Sequence, residues 1–359
     1  MMFMKGIILH GGRGTRLRPL THTGPKQLIP IANKPMSQYA LEDLKEAGIK
    51  DIAIVLGDIA PEKVVEYYGD GAKFGVRVKY IPQGEPKGIA HAVGLARDFV
   101  GDEPFIVYLG DNLLRDGIVD LVKQFESSRS EGQIALCRVS NPSAFGVAEV
   151  REGKIIRLVE KPKVPPSELA LVGVYMFRRS IFDAIDGLKP SLRGELEITE
   201  AIQRLIDTGL TVRSHLVSGW WKDTGKPEDI LEANQLVLSD LNPFNRGRLE
   251  GDVTTTGRIA IEDGTLIKTR CTLRGPLTIG RNCQIGPETY VGPYTSVGDN
   301  VVVKGGEIEN SIILSDTVIE CGRRIVDSLI GRGSRVVSNE VNLPRGYRLI
   351  TGENTFASL

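Results

Sequence analysis

The chain has 359 residues, and its 45 Lys plus Arg are matched by 45 Asp plus Glu, so the formal net charge is zero. Hydrophobic residues make up 41% and charged residues 25%, as in ordinary folded domains. The charge balance argues against bulk electrostatic binding to nucleic acid or membrane, and no apolar run approaches the roughly 18 residues that span a bilayer.

The length suits two domains. The N-terminal apolar run is short and leads into glycines, so no signal peptide is read there. Cys137, Cys271, Cys283 and Cys321 form no C-x-x-C pair. Scattered thiols of this kind point to buried, reduced cysteines in a cytoplasmic protein.

In chain order, "GIILHG" (6–11) reads as a strand and "MSQYALEDLKEAGI" (36–49) as a helix burying Met36, Tyr39, Ala40, Leu44 and Ala47. "DIAIVLG" (51–57) is a second strand. "PEKVVEYYG" (61–69) is a helix opened by proline and stopped by glycine. "VRVKYI" (76–81) alternates as a strand, 88–101 is helical and "PFIVYLGD" (104–111) is a buried strand. This alternation implies parallel βαβ units in a doubly wound sheet. From about 132 the chain becomes strand-rich, which suggests a mixed β-region closing over the sheet's C-terminal edge. Helical patterns return in "ELEITEAIQRLIDTG" and "PEDILEANQLVLSDL", and the second of these ends the first domain.

The last part of the chain follows another rule. Ile279-Gly280, Ile285-Gly286, Val291-Gly292 and Val297-Gly298 recur six residues apart. A hexapeptide period implies a parallel β-helix whose aliphatic residues point inward and whose coils stack. The expected architecture is therefore an α/β catalytic domain over 1–241 and a β-helix over 242–359.

"GGRGTRLRP" (11–19) follows the first strand. It matches neither G-x-x-x-x-G-K-[ST] nor G-x-G-x-x-G, so neither mechanism transfers. It still favours an anion: Gly11, Gly12 and Gly14 allow close backbone approach, and Arg13, Arg16, Arg18 and Lys26 lie in the same segment. No Asp or Glu precedes Glu42. Phosphoryl chemistry also needs a divalent metal, hence carboxylates. Asp111, at the end of the apolar strand, and Asp223, after "GWWK", are the candidates. The bland alternative is a solvated arginine face beside a tight turn.

Taken with "YIPQGEPKGIAHA", "LGDN", "FGVAEV", "EKP", "VGVYMF", "RGELEIT" and "WWKDTG" in this order, the segment 11–36 resembles the signature of sugar-1-phosphate nucleotidylyltransferases. The nearest group is the long-form glucose-1-phosphate thymidylyltransferases, which carry a C-terminal left-handed β-helix. The resemblance covers essentially the whole first domain. It implies a Rossmann-like mixed sheet. The implied reaction is Mg²⁺-dependent attack of a sugar-1-phosphate on the α-phosphorus of a nucleoside triphosphate, giving nucleotide-sugar and pyrophosphate. The best-matched substrates are dTTP and glucose-1-phosphate; UTP with glucose-1-phosphate or N-acetylglucosamine-1-phosphate is the alternative.

By this resemblance Gly11, Gly12, Gly14 and Thr15 hold the nucleotide, Arg16 grips the departing pyrophosphate and Lys26 neutralises the transition state. Gln83 and Gly88 match positions that read a pyrimidine, and Asp111 and Asp223 match the metal ligands. Gly146, Glu160, Val172 and Gly173 match positions around the hexose, and Lys161 and Arg193 those that hold its phosphate. Non-catalytic nucleotide-sugar sensors tend to lose such groups; Arg16, Lys26, Asp111 and Asp223 are all present here. His10, where many relatives carry alanine, reads as a packing difference before a catalytic base.

Some hexapeptide β-helices are acetyltransferases that use a histidine base. His10, His22, His91 and His215 are the chain's four histidines, and all lie outside this region. The expectation is a structural or oligomerising role for the β-helix and a self-associating protein.

Overall fold

A computed structural model describes residues 3–151 and 154–338. Contacts divide the chain into two compact units. The first runs to Gly14, then takes Thr21–Leu28 and Met36–Asp223; the second takes Thr15–Leu20, Ile29–Pro35 and the chain from Thr224 onward.

The first unit is built on a nine-stranded mixed sheet. Its strands are β1 (Lys5–His10), β2 (Asp51–Leu56), β3 (Arg77–Pro82), β4 (Phe105–Leu109), β5 (Gly132–Arg138), β6 (Gly146–Arg151), β7 (Lys154–Glu160), β8 (Leu169–Phe177) and β9 (Val212–Leu216). The order is β7-β6-β8-β4-β1-β2-β3, with β5 pairing both β8 and β9. Strands β4, β1, β2 and β3 run parallel; Gly6 faces Ile52 on one side and Ile106 on the other. The strand-rich stretch after 132 extends this same sheet, because β8 pairs antiparallel with β4. The expectation that it closes over the edge is replaced by that pairing.

Alternation along the strands feeds two cores. Ile7, Leu9, Phe105, Val107, Tyr175 and Phe177 pack on one face, with α3 (Ile89–Leu95), α6 (Ser180–Asp186) and α7 (Ile198–Asp207). Ile8, Ile54, Ile106, Tyr108, Val174 and Met176 pack on the other, with α1 (Met36–Glu46), α2 (Pro61–Tyr68) and α5 (Val119–Glu126). Helix α1 buries Met36, Ser37, Ala40, Leu41 and Leu44; Tyr39 is only half-buried, so the buried face is rotated toward Leu41. The helical stretch 88–101 is two helices, α3 and α4 (Arg97–Val100), separated at Ala96.

In the second unit α8 (Pro227–Ser239) precedes a coil of three parallel sheets, which the chain visits in turn. Ile279, Ile285, Val291 and Val297 fall in successive sheets and are fully buried. Ile261, Ile279 and Val297 lie in vertical register 18 residues apart, which is three six-residue steps per coil. The period singled out in the sequence holds through Val297; beyond it the coils shorten, Val291 pairing with Ile308 and Val297 with Ile313. No helix of the described residues is long and apolar enough to cross a membrane.

Replacing Ile285 with Ala should lower stability by about 2–4 kcal/mol, since a buried aliphatic is removed from a stacked interior that cannot collapse around the gap. Urea denaturation followed by far-UV circular dichroism measures this; a shift below about 0.5 kcal/mol would contradict the inward packing.

Candidate active site

The glycine loop leaves β1 at His10. Gly12 and Gly14 have φ of 91° and 57°, in the left-handed region where a side chain is strained. At Gly11 a Cβ would lie 2.7 Å from Gln83 Oε1, so a side chain there would displace the glutamine amide. The loop is fastened from below: Thr21 Oγ1 donates to Gly14 O at 2.8 Å and Gln27 Nε2 donates to Gly11 O at 2.8 Å. Gln27 itself is buried, and Ser37 Oγ donates to its carbonyl. Arg13 is exposed and pairs with Asp58 at 3.2 Å.

Lys26 occupies the short turn Lys26–Leu28, and its Nζ donates to Asp111 Oδ2. Both side chains are largely buried, at 17% and 11% exposure. Asn112 Nδ2 donates to the other Asp111 oxygen at 3.1 Å, and Asn112 Oδ1 accepts from Trp221 Nε1 at 2.7 Å. The strand Trp221–Asp223 runs antiparallel to Asn112–Leu114 and puts Asp223 opposite Asn112. Residues more than a hundred positions apart thus meet beside the end of β4. Burial alone would raise the Asp111 carboxyl; the Lys26 ammonium and the Asn112 amide outweigh it and hold the group below its ordinary value.

Gln83 is buried, and its Oε1 has no hydrogen-bond partner among the described residues. Gly88 has a φ of 105°, and a Cβ there would lie 2.5 Å from Leu196 O. Leu196 N donates to Lys87 O at 2.7 Å, so the 83–88 loop and the 191–197 loop lie against each other.

A second cluster surrounds Glu160. It ends β7 opposite Gly146, where a Cβ would lie 3.1 Å from Glu160 Oε2. Arg193 Nη1 sits 3.2 Å from Glu160 Oε1 and 3.3 Å from Glu197 Oε1. Lys161 Nζ is 3.8 Å from Glu160, and Thr199 Oγ1 donates to Glu160 at 3.4 Å. Burial and the neighbouring Glu197 raise the Glu160 carboxyl above its ordinary value, against the pull of Lys161 and Arg193. Val172 is fully buried in the α1 face core, so its side chain points away from this cluster. At Val172–Gly173 the β8–β5 pairing shifts register. Gly173 permits close approach, since a Cβ there would lie 2.7 Å from Leu109 and 2.9 Å from Asn112.

Tyr175 is buried on β8 in the core that packs against α3, α6 and α7. Burial, with the charges of Glu160, Asp111 and Asp223, pushes its phenol far up, so it stays protonated. Thr15 and Arg16 are exposed on the turn Thr15–Leu17, which belongs to the second unit. Gln27, Asn112, Tyr175, Glu197 and Thr199 were not anticipated. A polar Gln27 and Asn112 immediately after Lys26 and Asp111 was the available signal; Tyr175 lay inside a run read only as a strand.

The glycine loop and the Lys26–Asp111 pair lie at the ends of the parallel strands β1 and β4 of the doubly wound sheet. Comparison with known proteins gives the family. Residues 5–240 match the nucleotidyl transferase family, and 255–342 match the GMPPB C-terminal domain. The low-salt glycan biosynthesis nucleotidyltransferase Agl11 of Haloferax volcanii is 53% identical, over 98% of this chain and 99% of its own. A glucose-1-phosphate thymidylyltransferase of Streptomyces antibioticus is 46% identical over 98% of each chain. A crystal structure assigned as a glucose-1-phosphate thymidylyltransferase from Bacillus anthracis, bound to sucrose, is 40% identical with a TM-score of 0.63; the match covers 98% of that chain and 67% of this one. The chain belongs to the nucleotidyl transferase family.

His10 is buried between these elements, edge-on to Tyr68 at 6.1 Å, with neither ring nitrogen hydrogen-bonded among the described residues. Burial lowers its pKa from 6.5 to about 3, although Asp111 opposes this. It is neutral at working pH and packs as an aromatic ring. The unfolded chain takes up a proton below pH 6.5 that the folded His10 refuses, so stability falls as pH drops through that window. Between pH 7 and pH 5 this contribution is about 2 kcal/mol, and it should vanish from the pH dependence of His10→Ala. Denaturation of both proteins at the two pH values measures it; equal pH dependence would contradict it.

Proposed function

We propose that this chain transfers a nucleotidyl group from a pyrimidine nucleoside triphosphate, dTTP before UTP, to glucose-1-phosphate and releases pyrophosphate. The observation that carries the reading is the buried Lys26–Asp111 pair, set between the fastened glycine loop and the Glu160 cluster. A triphosphate and a hard cation would divide these two charges between them, Lys26 turning to phosphate oxygens and Asp111 to the cation.

Two carboxylates at Asp111 and Asp223, both oxygen donors, fit Mg²⁺, which favours one or two carboxylates with substrate phosphates completing its shell. Bound there, Mg²⁺ supplies charge neutralisation at the triphosphate. Gly11, Gly12, Gly14 and Thr15 are assigned to the triphosphate and Arg16 to the leaving pyrophosphate, which its fork can hold two oxygens at a time. Lys26 offsets the charge that builds on the α-phosphate. The sugar phosphate oxygen is itself the nucleophile, so catalysis is positioning and electrostatics without a covalent enzyme intermediate.

Gln83 supports a pyrimidine. Its Oε1, without a hydrogen-bond partner among the described residues, suits the N3–H of thymine or uracil, while its amide N–H₂ can donate to an adjacent base carbonyl. Gly88 keeps the neighbouring backbone clear of side chain. Glu160 accepts from sugar hydroxyls, Gly146, Val172 and Gly173 shape the pocket through main chain, and Lys161 and Arg193 take the sugar phosphate. Arg193 then exchanges carboxylates for phosphate.

The six-residue register supports a left-handed β-helix for the coil, with a structural or oligomerising role and no histidine to serve acetyl transfer. The family match ending at 240 supports a catalytic domain over 1–241. The unpaired thiols among the described residues support a cytoplasmic setting.

Pyrophosphate release measured for dTTP, UTP, CTP, GTP and ATP against several sugar-1-phosphates tests the reading. It should be greatest with dTTP and glucose-1-phosphate and should need Mg²⁺. A preference for a purine triphosphate would contradict it. Gln83→Glu, which loses the amide donor, should lower kcat/KM for dTTP and UTP by about tenfold or more while sparing residual purine turnover. Equal loss with every nucleotide would refute the base-reading role.

A further inference from the structure

The segment that follows Lys26 is tied to the C-terminal coil. Ile29–Pro35 belongs to the second unit and forms a two-residue hairpin in which Ile31 pairs with Lys34. Its central residues, Ala32 and Asn33, have φ of 47° and 65°. Both values are positive, as a type I′ turn requires. Asn adopts this conformation readily. Alanine does so at a cost of roughly 1–2 kcal/mol, so surrounding bonds must hold it there.

Those bonds come from Asn234 and from the coil. Asn234, on α8, is fully buried. Its Oδ1 accepts from Ala32 N at 2.9 Å and from Ser296 Oγ at 2.7 Å, and its Nδ2 donates to Tyr294 O at 2.9 Å. Asn33 Nδ2 donates to Val297 O at 2.7 Å. One asparagine therefore links the strained turn to the coil strand Thr295–Val297, and a second anchors the turn tip to the same strand. The other signature-loop segment in this unit, Thr15–Leu20, reaches the coil too: Leu20 Cδ2 lies 3.5 Å from where a Cβ on Gly331 would stand.

We propose that Asn33 and Asn234 are positioning residues through which the coil fixes the signature loop, and with it the turn that carries Lys26. Lys26–Leu28 leads directly into the hairpin, and Leu28 N donates to Pro25 O at 3.1 Å. An anchor this close along the chain limits how far that turn can drift. Misplacing a catalytic charge by about 1 Å can cost about a hundredfold in rate, so the anchor bears on turnover and not only on stability. The proposal rests on the nucleotidyl-transfer reading for its kinetic consequence, but not for the tether itself.

Asn33→Gly is the decisive variant, since glycine keeps the positive φ and removes only the side-chain donor. Asn234→Ala removes the central link, and Ile267→Ala controls for general destabilisation, since this fully buried coil residue pairs with Leu249 and Ile285 and not with the strand that takes the Asn33 bond. Amide exchange and steady-state kinetics are measured on the full chain, well below its melting temperature. Asn33→Gly should speed exchange of the Leu28 amide about fivefold or more and lower kcat about tenfold, with KM for both substrates within about twofold. Ile267→Ala should leave both readouts near wild type. Unchanged Leu28 exchange in Asn33→Gly and Asn234→Ala would overturn the proposal. So would faster exchange with unchanged kcat, or an equal kcat loss in Ile267→Ala. If the wild-type chain turns over no nucleotide, the functional reading fails, and Leu28 exchange alone decides for or against the tether.

Discussion

A buried ion pair between Lys26 and Asp111 is the constraint around which the first unit is organised. Breaking such a buried pair by removing one partner typically costs about 3–5 kcal/mol. The surroundings are arranged to keep both. Asn112 and Trp221 fix the carboxylate, the β1 and β4 ends bring it beside the glycine loop, and Gln27 ties the lysine turn to Gly11.

The Glu160 cluster repeats this logic with weaker pairs. Arg193 is shared between Glu160 and Glu197, and Glu160 is held above its ordinary pKa by burial and by that second acid. Tyr175 is buried, and burial with the charges of Glu160, Asp111 and Asp223 keeps its phenol protonated. Close approach at Gly11, Gly88, Gly146 and Gly173 makes the geometry possible, and each fits because a Cβ would strike a named neighbour.

Much of the fold was legible because its signals are local. The strands ending at His10, Leu56 and Leu109 are apolar runs bounded by glycine, and the coil declares itself through a six-residue period. The signature loop, the two aspartates and the Glu160 motif could be recognised as types in order. What was not legible depends on distance. Helices α5 and α6 are only eight and seven residues long and give little periodic signal. The extension of the sheet by β8 is an antiparallel pairing across 60 and more residues. The tie from Asn33 to Val297 spans 264 residues, and no local pattern announces it. Burial of His10 likewise follows from neighbours on other strands, and it explains why a histidine in the loop can be chemically silent.

The central claim is direct, in-line displacement at the α-phosphorus by the sugar phosphate, with protein groups that position and neutralise. The most direct measurement is the stereochemical course with a single diastereomer of a pyrimidine nucleoside α-thiotriphosphate, read by phosphorus NMR of the nucleotide-sugar product. A single in-line step without a covalent enzyme intermediate predicts inversion at the α-phosphorus. Retention, which requires two successive displacements through an enzyme-bound nucleotidyl group, would contradict the account.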